Sequence, residues 1–495
     1  MKDSENWTLY VSLILVLYAL VILFFVVRGA LKAKSISDYA VGNIGFPSWI
    51  VGLSLAASMT SAATFVINPG FIALYGVSGF ISFGVVMPIA AFISLVVFTK
   101  GFAKYGGQVK ATTMAQWIGN RYNSNSYKFF FGIIALLLIT FIVLINVGLT
   151  QVISKSLQAD PFYVLLGITV FVFGYMMFGG ANSMVYTNTI QAIIMFIVAI
   201  IMIASGRDFF ENGISGFLDQ LNAIDPKLTQ TTNESSFLFR DYFEIIFAQI
   251  VIGIAIVCQP HIITKSLMLK NPSKVNMYLF SSIFFMTVYF LVVVTGLYAR
   301  LTFPDLTANG KPLTMDEIIP TYVVTKFSVA AGILVVVGLI SAGLSTLESL
   351  IQSLSITITT DIIGTLAPKA KEKSFFINKV VIVLLAIVSF ILSWQQIQNP
   401  TLSVAIFAQN GVYAYFAAAF VPVLFGTFFK QVPTIAVFTA SVVALVSHFG
   451  IYYLRITPYM QETVNNPGVS AAIAILISLF TGLIFYIFGN KTSTR

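Results

Sequence analysis

Two stretches of this 495-residue chain concentrate the groups that could do chemistry in an otherwise apolar sequence. The first is Gly52-Leu53-Ser54-Leu55-Ala56-Ala57-Ser58-Met59-Thr60-Ser61-Ala62-Ala63-Thr64, rich in small and hydroxyl residues and followed by Asn68-Pro69-Gly70. The second is Ser341-Ala342-Gly343-Leu344-Ser345-Thr346-Leu347-Glu348-Ser349, continuing to Gln352, Ser353, Ser355, Thr357, Thr359 and Thr360. On a helix, Ser345, Ser349 and Gln352 share one face. Pro-Gly weakens a helical hydrogen-bond ladder, and freed carbonyls with nearby hydroxyls are hard oxygen ligands for a cation or a solute. Close helix packing through small residues is the competing account of the first stretch. Glu348 is harder to explain by packing. Inside a membrane helix an unpaired charge costs at least about 2.5 kcal/mol, so it is protonated, paired, beside a cation, or hydrogen-bonded to a neighbouring helix.

Nothing else in the chain suggests catalysis. The two histidines, His261 and His448, are far apart in sequence, and no HExxH motif, Walker loop or Cys/His ligand set occurs. His261, beside a proline, reads as a helix-capping or interface residue sooner than as a proton relay. Lys265 reads as a basic anchor at the cytoplasmic surface. Glu244 is expected near the outer interface, where its charge is cheaply solvated. A single cysteine, Cys258, rules out an internal disulfide framework.

The elements that carry these residues must be membrane helices. Hydrophobic residues make up 58% of the chain and charged ones only 9%, with a mean hydropathy of +0.93. A soluble protein carries about 25% charged residues. A bilayer takes about 20 apolar residues per helix. Leu9 to Val27 gives one span, and Asp38 to Lys100 gives two with a break at Tyr75-Gly76-Val77-Ser78-Gly79. Lys128 to Lys155 gives another, and Asp160 to Arg207 two more, broken at Gly179-Gly180. Single spans follow at Glu244 to Lys265, at Lys274 to Arg300 and from Lys326 past Glu348. Lys379 to Lys430 folds back at Gln395 to Pro400, and two last spans end near Arg455 and Lys491. The expectation is an all-α polytopic membrane protein of about thirteen helices. The runs lack the period-two alternation of an outer-membrane barrel.

Basic residues set the orientation. Arg28, Lys32 and Lys34 follow the first span; Lys100, Lys104, Lys110, Arg121 and Lys128 the third; Lys265, Lys270 and Lys274 the seventh; Lys369, Lys371, Lys373 and Lys379 the ninth. The acidic loop from Arg207 to Asp241 lies on the opposite side. This pattern puts the N-terminus outside and the C-terminus in the cytoplasm of a cell-membrane protein. The net charge of +9 therefore reports topology, not nucleic-acid binding. The first span lacks a basic n-region and is followed by three basic residues, so it is expected to remain in the mature protein rather than act as a signal peptide. The longest polar stretch, Arg207 to Asp241, is too short to fold alone, so no sensor or output domain is expected.

The run Gly179-Gly180-Ala181-Asn182-Ser183-Met184-Val185-Tyr186-Thr187-Asn188-Thr189-Ile190-Gln191 resembles the signature of the sodium:solute symporter family. Gln259-Pro260-His261-Ile262-Ile263 is similar to the matching stretch of its sodium/proline members; Ala342 to Thr346 is similar to its sodium-binding helix and Ala57 to Thr60 to its broken helix. The matches fall in order over nearly the whole chain, and sodium/pantothenate-type members are also resembled. The resemblance implies a LeuT-type fold of two inverted five-helix repeats. One transporter domain would span 1–490, with an extra helix in 1–35, a ten-helix core in 45–428, two extra helices in 432–490 and a short tail at 491–495.

Carried over by position, the resemblance implies a sodium site made of the carbonyls of Ala57, Thr60 and Ala342 and the hydroxyls of Ser345 and Thr346. Back-bonding of those hydroxyls to their own helix is the alternative. The chain departs from the family where a signature Asp is replaced by Asn188, while Glu348 stands where relatives have a hydroxyl. Glu348, Ser349 and Asn188 are therefore expected to form a second cation or proton site. Ile252 and Ile256 stand where proline transporters place Trp and Tyr, which argues against proline. Met59, Ser61, Thr64, Ile256 and Gln259 are the expected solute shell. The implied function is sodium-coupled symport of a small organic solute into the cell, with sodium, solute and lipid as partners and no obligate protein partner. Proton coupling through Glu348, or an uncoupled receptor or channel, are the alternatives.

Overall fold

Long apolar runs without charge must satisfy their backbone internally, and the chain does this with helices. The computed structural model describes residues 4–32, 35–101, 111–267, 272–308, 310–399, 404–461 and 464–492. Lys34, Lys104, Lys110, Lys270, Pro400 and the last residues of the tail lie outside them. Among the described residues the only strands are the two-residue pair Thr307–Ala308 and Lys311–Pro312.

The helices are α1 (Ser4–Ala30), α2 (Ser48–Met59), α3 (Ala63–Tyr75), α4 (Val77–Gly101), α5 (Asn125–Leu157), α6 (Pro161–Met176) and α7 (Ala181–Ala204). Then come α8 (Phe243–Cys258), α9 (Pro260–Leu267), α10 (Val275–Thr302), α11 (Val329–Leu366), α12 (Pro368–Gln398), α13 (Val404–Phe428), α14 (Thr434–Leu454) and α15 (Pro467–Phe488). Ten of these are each long and apolar enough to cross a membrane, and α2 with α3 makes an eleventh crossing bent by 55°. The shorter α6 and α8 must also cross to reach the expected thirteen.

Burial sorts the helices into an inner group and a wrapping. In α13 89% of the most apolar window is buried, against 22% in α1. The wrapping helices expose large apolar side chains such as Leu13, Phe24, Ile93 and Phe480, each about 60% exposed or more. Lipid is the solvent that can take such a surface.

Two interruptions shape the interior. Helix α2 ends at Met59, and Thr60 leaves it in an extended conformation (φ −110°, ψ 100°). The break thus precedes Asn68-Pro69, where the sequence suggested a weakened ladder. Pro69 lies instead in the first turn of an α-helical piece, where its missing N–H has no partner to lose. The second interruption is at Gln259, whose ψ of 139° separates α8 from α9. Pro260 is its cause, because the residue before a proline is pushed out of the helical region. Gly76 turns the chain from α3 to α4 with φ +72°, and a Cβ there would lie 2.1 Å from the Leu228 carbonyl oxygen. Gly180 does the same before α7 with φ +97°.

Candidate functional site

The last turn of any helix leaves carbonyls without intrahelical partners, and at the end of α2 the hydroxyls of α11 meet them. Ser345 Oγ donates to the Ala57 carbonyl at 2.8 Å and to the Ala342 carbonyl at 3.1 Å. Thr346 Oγ1 donates to the Ser58 carbonyl at 3.1 Å and to the Ala342 carbonyl at 3.4 Å. All of these residues are at most 1% exposed. Thr60 stands at the break itself, and its hydroxyl bonds back to Ala56 at 2.8 Å. Four of the five positions taken for the sodium site therefore converge directly, with Thr60 at their edge. The carbonyl of Ser58 joins them, a participant the sequence did not single out. Neutral hard oxygens in a dehydrated pocket suit a small monovalent cation. Among the described residues no group of three His, Cys, Asp or Glu side chains exists that would hold a transition metal.

The expected second site divides in two. Asn188 Nδ2 donates to Ser58 Oγ at 2.9 Å and Ser349 Oγ donates to the same oxygen at 2.9 Å, so these two meet through Ser58. Glu348 is turned elsewhere. Its carboxylate accepts from Tyr175 Oη at 2.5 Å, Thr187 Oγ1 at 2.6 Å and Gln191 Nε2 at 3.2 Å. Helix geometry is the reason. Adjacent positions on a helix do not face one another, so Glu348 and Ser349 on α11 present to different neighbours, as do Thr187 and Asn188 on α7.

Beside the break lies a cavity of about 100 Å³, and all five residues of the expected solute shell, Met59, Ser61, Thr64, Ile256 and Gln259, line it. Asn68, Phe83, Phe141, Phe290, Gln409 and Tyr413 complete much of the wall. Sequence reasoning missed the face of α13. Its signal was Gln409-Asn410, an amide pair inside an otherwise apolar span. Gln259 is 2% exposed, and its Oε1 has no hydrogen-bond partner among the described residues, so it offers an acceptor at the cavity.

Two readings of single residues, Lys265 and Glu244, need correction. Lys265 is no surface anchor: it is 3% exposed and donates to Ser54 Oγ at 2.9 Å. The short helix α9 carries it inward along α2. Glu244 is fully buried rather than solvated, held by Arg240 Nη2 at 2.6 Å and by Asn466 Nδ2 at 2.8 Å. His261 is 3% exposed, with its ring 6.3 Å from that of Phe141 and its Nδ1 unpartnered among the described residues.

Comparison with known proteins decides the class. Residues 39–443 match the model of the sodium:solute symporter family. The chain belongs to that family. Membership makes it a multi-pass transporter of the sodium-coupled symport class, not an enzyme. A sodium/pantothenate symporter of Haemophilus influenzae is 24% identical over 475 residues, covering 94% of this chain and 92% of that one. A high-affinity proline transporter of Bacillus subtilis is 22% identical over 464 residues, covering 91% and 94%. Among solved structures, a sodium-coupled sialic acid symporter with substrate bound in an outward-open state superposes with a TM-score of 0.76 at 17% identity, over 96% of this chain and 98% of that one. The fold of the symporter is therefore shared with that structure.

Proposed function

We propose that this symporter draws a small organic solute into the cell with sodium bound by the carbonyls of Ala57, Thr60 and Ala342 and the hydroxyls of Ser345 and Thr346. The observation that carries this reading is the pairing of the α11 hydroxyls with the terminal carbonyls of the broken helix α2. The cavity lies on the other side of the same break, lined by Met59 and Ser61. A sodium ion that orders the break would also fix those two residues for the solute, and solute binding would in turn favour the ion. The cavity has amides, hydroxyls and aromatic rings on its wall, so the solute is one whose polar groups are neutral where Gln259, Ser61 and Gln409 meet them. Ile252 and Ile256, in place of the rings of proline-transporting relatives, argue against proline.

The wider architecture follows the same reading. The core in 45–428 consists of two inverted five-helix repeats, with one extra helix in 1–35 and two in 432–490, and α6 and α8 complete thirteen crossings of the cell membrane. The N-terminus lies outside and the C-terminus in the cytoplasm. The Ser345–Thr346 site is built of neutral oxygens and Glu348, bonded instead to Tyr175 and Thr187, takes no part in it, which favours sodium over proton as the driving ion.

The test is a thermal-shift screen of purified protein against small solutes in sodium and in matched potassium. A ligand of the native state raises the unfolding temperature by mass action. A solute whose stabilisation requires sodium supports coupled binding, and stabilisation of equal size in potassium ends this reading.

A further inference from the structure

Lys265 has no part in the sodium site or the solute cavity, yet it is buried against polar side chains. Its ammonium donates to Ser54 Oγ at 2.9 Å. Ser54 lies one turn before Ser58 on α2, and Asn188 Nδ2 spans the two, at 3.4 Å from Ser54 Oγ and 2.9 Å from Ser58 Oγ. Ser349 closes the group from α11 through Ser58 Oγ. Four helices, α2, α7, α9 and α11, thus build one polar cluster whose members are all 3% exposed or less. Apart from the lysine every member is neutral. Asn188 Oδ1 is buried with no partner among the described residues, an acceptor held ready beside a cation.

We infer that the Lys265 ammonium is a resident cation that takes the place of a second sodium in the Ser54–Ser58–Asn188–Ser349 cluster, leaving the symporter one exchangeable sodium. The inference rests on the reading that Ser345 and Thr346 hold that sodium. An ammonium and a sodium ion make the same demand on a site, a single positive charge among oxygen acceptors. The tethered one is already in place and repels a second cation from the same low-dielectric pocket. Glu348, the buried acidic residue on the adjacent position of α11, interacts with it electrostatically. A neutral amide at position 188 fits this assignment, because the carboxylate of the pair already resides on α11.

The experiment is equilibrium binding of radioactive sodium to the purified full chain, counted per polypeptide, in the wild type and in three variants. The wild type is expected to saturate at one sodium with a Hill coefficient of about 1, since that coefficient cannot exceed the number of sites. Lys265→Gln is expected to bind one sodium more, with a Hill coefficient above 1. Lys265→Arg keeps the wild-type count. Lys265→Gln combined with Asn188→Asp gains the same extra ion at lower sodium concentration, and covers the case in which Lys265→Gln alone folds poorly. Two sodium ions in the wild type, or no gain in either Gln variant, would overturn the assignment. A wild type that binds no sodium would instead remove the Ser345–Thr346 site, while the gain or its absence in the Gln variants still decides the role of Lys265.

Discussion

Ser345 and Thr346 each direct a hydroxyl at two carbonyls, and each is more than a helix back-bond requires. Ser345 bonds within α11 to Ala342, but its shorter bond crosses to Ala57. In the proposed sodium site, replacing either by alanine removes one neutral oxygen from around a charged ion, an interaction worth about 1.5–3 kcal/mol. The sodium concentration that gives half-maximal thermal stabilisation is expected to rise roughly 10- to 100-fold in Ser345→Ala or Thr346→Ala. An unchanged midpoint would mean that the hydroxyls only tie two helices together. Glu348 is a different kind of residue. With Tyr175, Thr187 and Gln191 all donating to it, Glu348→Gln sets an amide N–H against donors. The expected outcome is a loss of about 1–3 kcal/mol in stability with the sodium count unchanged, read by thermal unfolding and by sodium binding on the same preparation. A variant with normal stability and an altered sodium count would return Glu348 to a cation site.

Helices in this molecule are interrupted where the next turn of backbone would have gained least. Pro260 forces Gln259 out of α8, and the run of small residues around Thr60 lets α2 stop without a bulky side chain to re-anchor it. The turns between spans depend on backbone conformations few residues tolerate. At Gly76, φ is +72° and the Leu228 carbonyl occupies the space of a Cβ. Gly76→Ala is therefore expected to cost at least about 1–3 kcal/mol, from strain alone, and to lower the unfolding temperature in detergent. A melting curve matching the wild type would show that α3 and α4 can meet by another path. This turn was legible in the sequence as Tyr75-Gly76-Val77-Ser78-Gly79, because a glycine pair interrupting an uncharged run has few other uses. The runs themselves were legible for the same reason: length and absence of charge define a span. The break at Ala57 to Thr60 was legible only by resemblance, and the Pro69 that was expected to weaken the ladder begins a helical piece instead, because proline reads alike whether it ends a helix or begins one. Lys265 was misplaced by the same rule that orients the protein. A lysine at the end of an apolar run marks the membrane surface unless the helix carrying it is short and packed inward, and sequence does not report packing.

At the scale of the whole molecule the distribution of charge has to agree with the membrane as well as with the interior. Two buried acids are held locally: Glu244 by Arg240 and Asn466, and Glu348 by Tyr175, Thr187 and Gln191. Most other charges are on the loops, and the positive ones are expected to collect on one side. Arg28, Arg121, Lys274, Lys371 and Lys379 follow spans of odd order, while the stretch from Arg207 to Asp241 carries Asp208, Glu211, Asp219, Asp225 and Glu234. Such a bias is expected to set the direction of insertion, because basic loops are retained on the cytoplasmic side. The prediction can be read with the chain's single cysteine removed, since Cys258 is buried and its substitution by serine clears the background. In Cys258→Ser cells, a cysteine introduced by Glu211→Cys should react with a membrane-impermeant maleimide added outside. One introduced by Lys371→Cys should react only after permeabilisation. Both positions are exposed, so access rather than burial decides the labelling. The reverse pattern would invert the whole molecule in the membrane. It would put the acidic loop in the cytoplasm and require that something other than the basic loops set its direction.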